Sequence, residues 1–137
     1  MPVIPDLPWT THRTFDGPGV VLLTELRLRR LRDVPAFMAT SLTILRQVSR
    51  SPGARSALLR AQPLRRYFAT VSWWDDQTTM RTFARTDPHR TAMRRWGPRL
   101  SSFGNRALPA AGSMPTVDEA LTQATAQALP TAPASTA

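Results

Sequence analysis

The 137-residue chain has no cysteine, no lysine, a single tyrosine and only two glutamates. Without cysteine there is no disulfide, no thiolate metal site and no cysteine nucleophile. No apolar run approaches the roughly 18 residues that a membrane span needs. The opening MPVIPDLPWTTHRTFDGPG lacks the apolar stretch of a secretory signal, so the expected location is the cytoplasm. There is no GxGxxG and no P-loop to cradle a nucleotide, and no Gly-x-Ser-x-Gly elbow for a serine nucleophile. Histidine is scarce too: His12 falls in the opening segment and is assigned no role, and His89 stands alone in the central part. A zinc or facial-triad iron site, which needs several ligands at set spacings, is therefore not expected.

Among what is present, 42% of residues are hydrophobic and 20% charged. A chain of this length fits one domain and buries about two thirds of its unfolded surface. The net charge of +9 is carried by 18 arginines against 9 acidic residues. The arginines are scattered, with no basic arm and no zinc-finger or RNP-type motif. They read as a solvated or partner-facing surface, not as a nucleic-acid site.

Residues 1–19 hold four prolines and two glycines without helical or strand period, and read as an extended N-terminal arm. Residues 109–137 form an Ala/Thr/Pro-rich tail. Within it Thr116-Val-Asp-Glu119 is a capping-box pattern that predicts a short helix over 117–129, on the surface or frayed, followed by disorder. The folded domain is expected over 20–108. Val20–Leu28 alternates as a strand with Val20, Leu22, Thr24, Leu26 and Leu28 on one side. Asp33 is expected to cap a helix with Pro35 in its first turn and an apolar stripe of Phe37, Met38, Ser41, Leu42, Leu45 and Val48. Ala54–Gln62 and Tyr67–Trp74 read as a hairpin across Pro63–Arg66. Asp75 is expected to cap a second helix, Asp87-Pro88 to start a third that stops at Gly97-Pro98, and Ser101–Leu108 to be the last strand. The order β-α-β-β-α-β is the ferredoxin-like α+β arrangement: a four-stranded antiparallel sheet with helices on one face. The other face, left bare and apolar, predicts a second copy of the chain against it.

The segment Phe68–Met93 carries a more specific pattern. Ser72, Trp74 and Asp75 end a strand as Ser-x-Trp-Glu/Asp; Met80 and Phe83 follow as Met/Leu-x-x-Phe; Pro88, His89, Arg90 and Met93 complete Gly/Asp-Pro-His-Arg-x-x-Met. Over about residues 55–96 the chain resembles the antibiotic-biosynthesis-monooxygenase-like superfamily of dimeric α+β barrels. More closely it resembles the spheroidene-monooxygenase-like and DUF3291-like branch. The arm and the tail have no counterpart in that pattern. The superfamily hosts oxygenases, dehydratases, haem enzymes and cyclases, so the resemblance specifies fold better than chemistry.

His89 is expected at the second position of a helix, where the exposed N–H groups disfavour the imidazolium. A neutral ring there can accept a proton, donate from its other nitrogen or ligate iron; it can equally just hydrogen-bond the end of Tyr67–Trp74. Trp74 shares a strand face with Ser72, Thr70 and Phe68, and Trp73 points the other way. A flat aromatic beside small hydroxyls suits a planar polycyclic or polyene ligand, and ordinary packing explains the same residues. Met80, Phe83, Met93 and Trp96 would line the same cleft, or be plain core. Glu25 reads as a base or as a charge partner of Arg27 or Arg60. Arg90 reads as a partner for a substrate carboxylate or phenolate, or as solvated charge.

The resemblance then implies a natural-product tailoring enzyme of secondary metabolism, such as antibiotic biosynthesis. It would be a homodimeric, cofactor-independent monooxygenase of an aromatic polyketide or polyene-like substrate, with His89 as base or proton shuttle and Trp74 and Ser72 positioning the substrate. Three alternatives stand beside it: a haem enzyme with His89 as axial ligand, a non-redox cyclase or isomerase using His89 as acid and base, and a non-catalytic ligand-binding dimer whose basic surface docks an acidic partner.

Overall fold

The structure is a computed structural model that describes residues 5–109 and 114–128. Its elements are β1 (Leu7–Thr10), β2 (Val20–Leu28), α1 (Val34–Arg50), β3 (Ala54–Gln62), β4 (Tyr67–Trp74), α2 (Gln77–Ala84), α3 (His89–Trp96), β5 (Leu100–Pro109) and α4 (Val117–Ala128). No helix among the described residues is long and apolar enough to cross a membrane.

The strands form one antiparallel sheet in the order β1-β3-β4-β2-β5. Strands β2 to β5 are the four of the ferredoxin-like arrangement, and β3–β4 is the expected hairpin. Its tight turn is closed by Arg66 in the left-handed region, φ 56°. The sheet has five strands, not four, because the arm contributes β1. Leu7 and Trp9 face the helical side opposite Leu59 and Ala57. Pro8 between them is tolerated because this is an edge strand. Four residues with a central proline are too short for periodicity to reveal.

Alternation along β2 and β4 divides the core as the sequence indicates. Leu22, Leu26, Leu28, Phe68 and Trp74 pack beneath α1, α2 and α3, and Val21, Leu23, Ala69, Val71 and Trp73 line the opposite face. That opposite face is not bare. Val117 and Ala120 of α4 are fully buried on it, with Leu121 and Ala124 beside them. The helix starts on the expected capping box: Thr116 N–H donates to Glu119 Oε1 (2.9 Å) and Glu119 N–H to Thr116 Oγ1 (3.1 Å). The tail helix thus covers a sheet surface that the sequence pattern left for a second subunit. The expected disorder beyond it, and Leu129, lie outside the described residues.

Three expected caps are reassigned. Asp33 stands at the N-terminus of α1 without capping it and pairs with Arg99 instead, 3.2 Å. Asp76, not Asp75, caps α2, accepting from Thr79 N–H (2.8 Å). Asp87 Oδ1 accepts from Thr91 N–H (3.0 Å) and Thr91 Oγ1 (2.6 Å), and α3 begins only at His89.

Asp75 is free for another task because of Arg55, a β-bulge residue of β3 opposite Trp73–Trp74. Arg55 is only 3% exposed. Its Nε donates to Asp75 (2.7 Å) and its two terminal nitrogens to the carbonyls of Gly17 (2.7 Å) and Asp16 (2.8 Å). The guanidinium lies 4.7 Å from the ring centre of Phe15 and 5.0 Å from that of Trp73. The second half of the arm is thereby tied across the end of the sheet. Gly19 completes the tie: at φ +69° a Cβ would sit 2.4 Å from the Trp74 carbonyl. Replacing Arg55 by Met is expected to cost about 2 kcal/mol, since charged hydrogen bonds are lost while Asp75 keeps Arg13 as a partner. Urea unfolding measures the loss. Hydrogen exchange should place it in residues 13–19, and an unchanged exchange pattern there would show that the arm is held by something else.

Candidate functional site

Between the sheet and α1, α2 and α3 lies a cavity of about 120 Å³. Its floor is Leu22, Thr24 and Leu26 of β2 with Phe68, Thr70 and Ser72 of β4. Phe37, Ser41, Ile44 and Leu45 of α1 form the roof. His89, Ala92, Met93 and Trp96 come from one face of α3, at the i, i+3, i+4 and i+7 spacing that puts side chains in line. An apolar cavity of about 150 Å³ accommodates benzene, so the deep part here holds about one aromatic ring. The floor continues outward: Leu22, Thr24 and Leu26 pair with Ala107, Asn105 and Phe103 of β5, on the same face. No helix among the described residues covers that row, and Phe103 is 46% exposed. A longer ligand therefore has an uncovered shelf along β5.

His89 is set by three contacts. Its backbone N–H donates to Gln47 Oε1 (2.8 Å), and Gln47 Nε2 donates in turn to the carbonyls of Phe83 (3.2 Å) and Thr86 (3.0 Å). Gln47 thus ties the α2–α3 connection to α1. The ring stacks at 4.8 Å from Phe83. Nδ1 lies 2.9 Å from the Ala84 carbonyl, which can only accept, so the proton sits on Nδ1. Nε2 is left as the basic atom, without a hydrogen-bond partner among the described residues. Burial pushes the imidazole below its ordinary value of 6.5, against a smaller upward pull from the Ala84 carbonyl. Neutrality is as expected, with desolvation rather than the helix N-terminus as its main cause.

A native pKa below the unfolded one means that the unfolded chain binds the extra proton first. The His89 contribution to stability is complete above pH 6.5 and is lost as pH falls from there through the lower native value. Denaturation midpoints should decline over that range in the wild type and less steeply in His89→Phe. Parallel slopes would show that His89 does not titrate this way.

Of the other expected site residues, Ser72, Thr70, Phe68, Phe83, Met93 and Trp96 line the cavity. Trp74 does not: it is 0% exposed, packed behind Ser72 among Val48, Ala54, Met80 and Phe83. Its Nε1–H donates to Ser72 Oγ (2.8 Å), leaving the serine proton free to point at a ligand. Trp74 thus reaches the cavity only through the Ser72 hydroxyl. Met80 belongs to the same buried cluster and stays out of the cavity. Arg90 is exposed on the outer side of α3. Glu25 lies on the opposite sheet face, where it accepts from the Tyr67 hydroxyl (2.8 Å). Burial and that carboxylate push the phenol well above its usual range. Strand parity keeps Glu25 out of the cavity and helix phase keeps out Met80 and Arg90, whereas Trp74 has the cavity-side parity and is sealed off beneath α2. Gln47, Thr40, Ser41 and Ile44 are functional candidates that the sequence did not single out; Ser41 and Leu45 were legible only as one apolar stripe.

Trp96 is 3% exposed, and its Nε1–H is buried with no hydrogen-bond partner among the described residues. Phe37 stands edge-on to its ring at 5.1 Å, and the guanidinium groups of Arg95 and Arg99 lie 5.6 and 5.4 Å from the ring centre. No group of three or more His, Cys, Asp or Glu that could hold a metal ion occurs among the described residues.

No family model and no curated protein matches the sequence. Solved structures do match. A candidate monooxygenase of Fusobacterium nucleatum superposes on 78% of this chain with TM-score 0.63 and 6% identity; the chain spans 49% of that protein's length. SnoaB, a cofactor-independent oxygenase of Streptomyces nogalater, matches over 73% of this chain and 100% of its own, with TM-score 0.56 and 18% identity. LmHde, a haem-degrading enzyme of Listeria monocytogenes, matches over 77% of this chain and 68% of its own, with TM-score 0.58 and 16% identity. The narrower likeness to the spheroidene-monooxygenase-like and DUF3291-like branch rests on the sequence pattern alone. The fold of this chain is that of the ferredoxin-like proteins related to antibiotic-biosynthesis monooxygenases.

Proposed function

We propose that the protein is a cofactor-independent monooxygenase of an aromatic natural product, with His89 as its base. The observation that carries this reading is the His89 imidazole, which lines an apolar cavity with Nδ1–H committed to the Ala84 carbonyl and Nε2 without a partner among the described residues. Nε2 takes the proton of a phenolic or similarly acidic substrate. The resulting anion is electron-rich enough to react with dioxygen, forming a carbon–oxygen bond and, with the proton returned by the imidazolium, a ring hydroperoxide. Loss of the C–H proton from that carbon then breaks the O–O bond. One oxygen stays as a quinone carbonyl, the other leaves as water, and the substrate supplies all four electrons. The protein supplies a dry pocket, which strengthens every polar contact within it, and hydroxyl donors such as that of Ser72.

A haem alternative has one supporting feature, the free Nε2 backed by an Nδ1–H to carbonyl bond. The deep part of the cavity, about 120 Å³, is too small for a macrocycle, which would have to lie along the uncovered shelf of β5. A cyclase or isomerase would use the same base without dioxygen. A homodimer is compatible with this site; a partner on the sheet face would have to displace α4.

The test is oxygen uptake by the purified protein with a phenolic aromatic such as 1-naphthol, together with its absorption spectrum. Uptake by a colourless protein, with label from ¹⁸O₂ in the product, is the expected result. A Soret band, or turnover that proceeds unchanged without oxygen, would overturn the proposal.

A further inference from the structure

The Trp96 Nε1–H is a donor buried away from bulk water, with no acceptor among the described residues. Such groups are rare in folded proteins, and each costs about 1–3 kcal/mol if left unpaired. Its place is specific. Trp96 lies two turns after His89 on the same face of α3, about 10 Å along the axis, and both side chains line the one cavity. The cavity is thus lined towards one end by the histidine that keeps a basic nitrogen and towards the other by the tryptophan with the unpaired donor, with a mostly hydrocarbon wall that includes Leu22, Leu26, Ile44, Phe68 and Met93. Arg95 and Arg99 against the indole face draw on its electron density and sharpen the N–H as a donor.

We infer that Trp96 is a ligand-binding residue whose Nε1–H holds an acceptor oxygen, a ring carbonyl or phenolate. The ligand is then a flat aromatic that carries this oxygen about two helical turns from the group facing His89. The inference rests on the cavity being the ligand site, and it narrows the substrate class. A hydrocarbon polyene would leave the indole unpaired, whereas an oxygenated aromatic of polyketide type satisfies it.

The test compares two probes of one shape, 1-tetralone and tetralin, which differ by a carbonyl oxygen. Binding is followed by NMR titration of the ¹⁵N-labelled full chain. The expected result is that 1-tetralone binds about fivefold more tightly than tetralin, the worth of one net hydrogen bond. The Trp96 indole N–H resonance, assigned by its loss in Trp96→Phe, should move downfield with the ketone and hardly at all with the hydrocarbon. Trp96→Phe should bind both probes equally, and His89→Ala should keep the preference. Equal binding to the wild type, or a preference that survives in Trp96→Phe, overturns the anchoring role and leaves the cavity as a ligand site. Binding of neither probe overturns the cavity reading and this inference with it. If Trp96→Phe fails to fold, the indole resonance is assigned instead from its through-space contacts to the Phe37 ring, and the wild-type shift decides the matter.

Discussion

His89→Ala is expected to lower turnover of a phenolic substrate by about 10²–10⁴-fold, the usual worth of a positioned general base, with ligand affinity little changed. The expectation follows from the division of labour between the ring nitrogens. Nδ1 is spent on the Ala84 carbonyl, so removing the ring abolishes the one basic atom at the cavity and leaves that carbonyl to be met by water or by added imidazole. Affinity resides in the apolar walls and in the Trp96 donor, which the substitution leaves in place. Added imidazole should restore part of the rate in the alanine variant, because the vacated space faces the reacting group. In the wild type the acid limb of kcat/KM should fall below pH 6.5, since burial lowers the His89 pKa and the base stays unprotonated further into acid. Gln47→Ala should reduce kcat more than it raises KM. It leaves the lining intact but frees the backbone of His89 and two carbonyls at the ends of the α2–α3 connection. Full turnover in His89→Ala would remove the catalytic assignment, whatever reaction is observed.

What the sequence reveals and what it hides differ for physical reasons. Strand β4 has the bounds that its β-branched and aromatic content indicates, and β3, which has no such residue, is delimited with it by turns with strong local chemistry: Ser51-Pro-Gly before β3 and Pro63–Arg66 between the two. Facing follows from period two, so Phe68, Thr70 and Ser72 could be placed together on the cavity side. Trp74 obeys the same parity yet lies outside the cavity, because α2 closes over the end of β4 and seals it among Met80 and Phe83. Depth along a strand is set by the helix above it, which periodicity does not report. Arg55 illustrates another limit. It interrupts the alternation of β3, and its three acceptors lie on residues 16, 17 and 75, two of them backbone carbonyls that no side-chain pattern encodes. The orphaned Trp96 N–H is equally invisible in sequence, since it is defined by what fails to surround it.

Ending the chain at Pro109 is expected to lower stability by about 3 kcal/mol and to make the protein self-associate. Both effects come from the sheet face that α4 covers. Val117 and Ala120 are fully buried there against Val21, Leu23, Val71 and Leu108, and Leu121 and Ala124 add partly buried area. Burial of a valine is worth about 1.5–3 kcal/mol, and each further buried methylene about 0.8 kcal/mol. The entropy of ordering a twelve-residue helix offsets part of this gain. The ion pair between Arg60 and the exposed Asp118 adds little. Removing α4 leaves Val21, Leu23, Val71 and Leu108 as a contiguous apolar patch, the kind of surface that a second copy covers. Urea unfolding reads the first effect, and sedimentation over a range of concentrations reads the second. Val117→Asp in the full chain should reproduce both, since a carboxylate at a fully buried position forces the helix off the sheet. A shortened chain with an unchanged midpoint that stays monomeric would mean that α4 contributes nothing to this face. If association restores stability, the same sheet surface supports either an intramolecular lid of twelve residues or an intermolecular partner, and the tail decides between them.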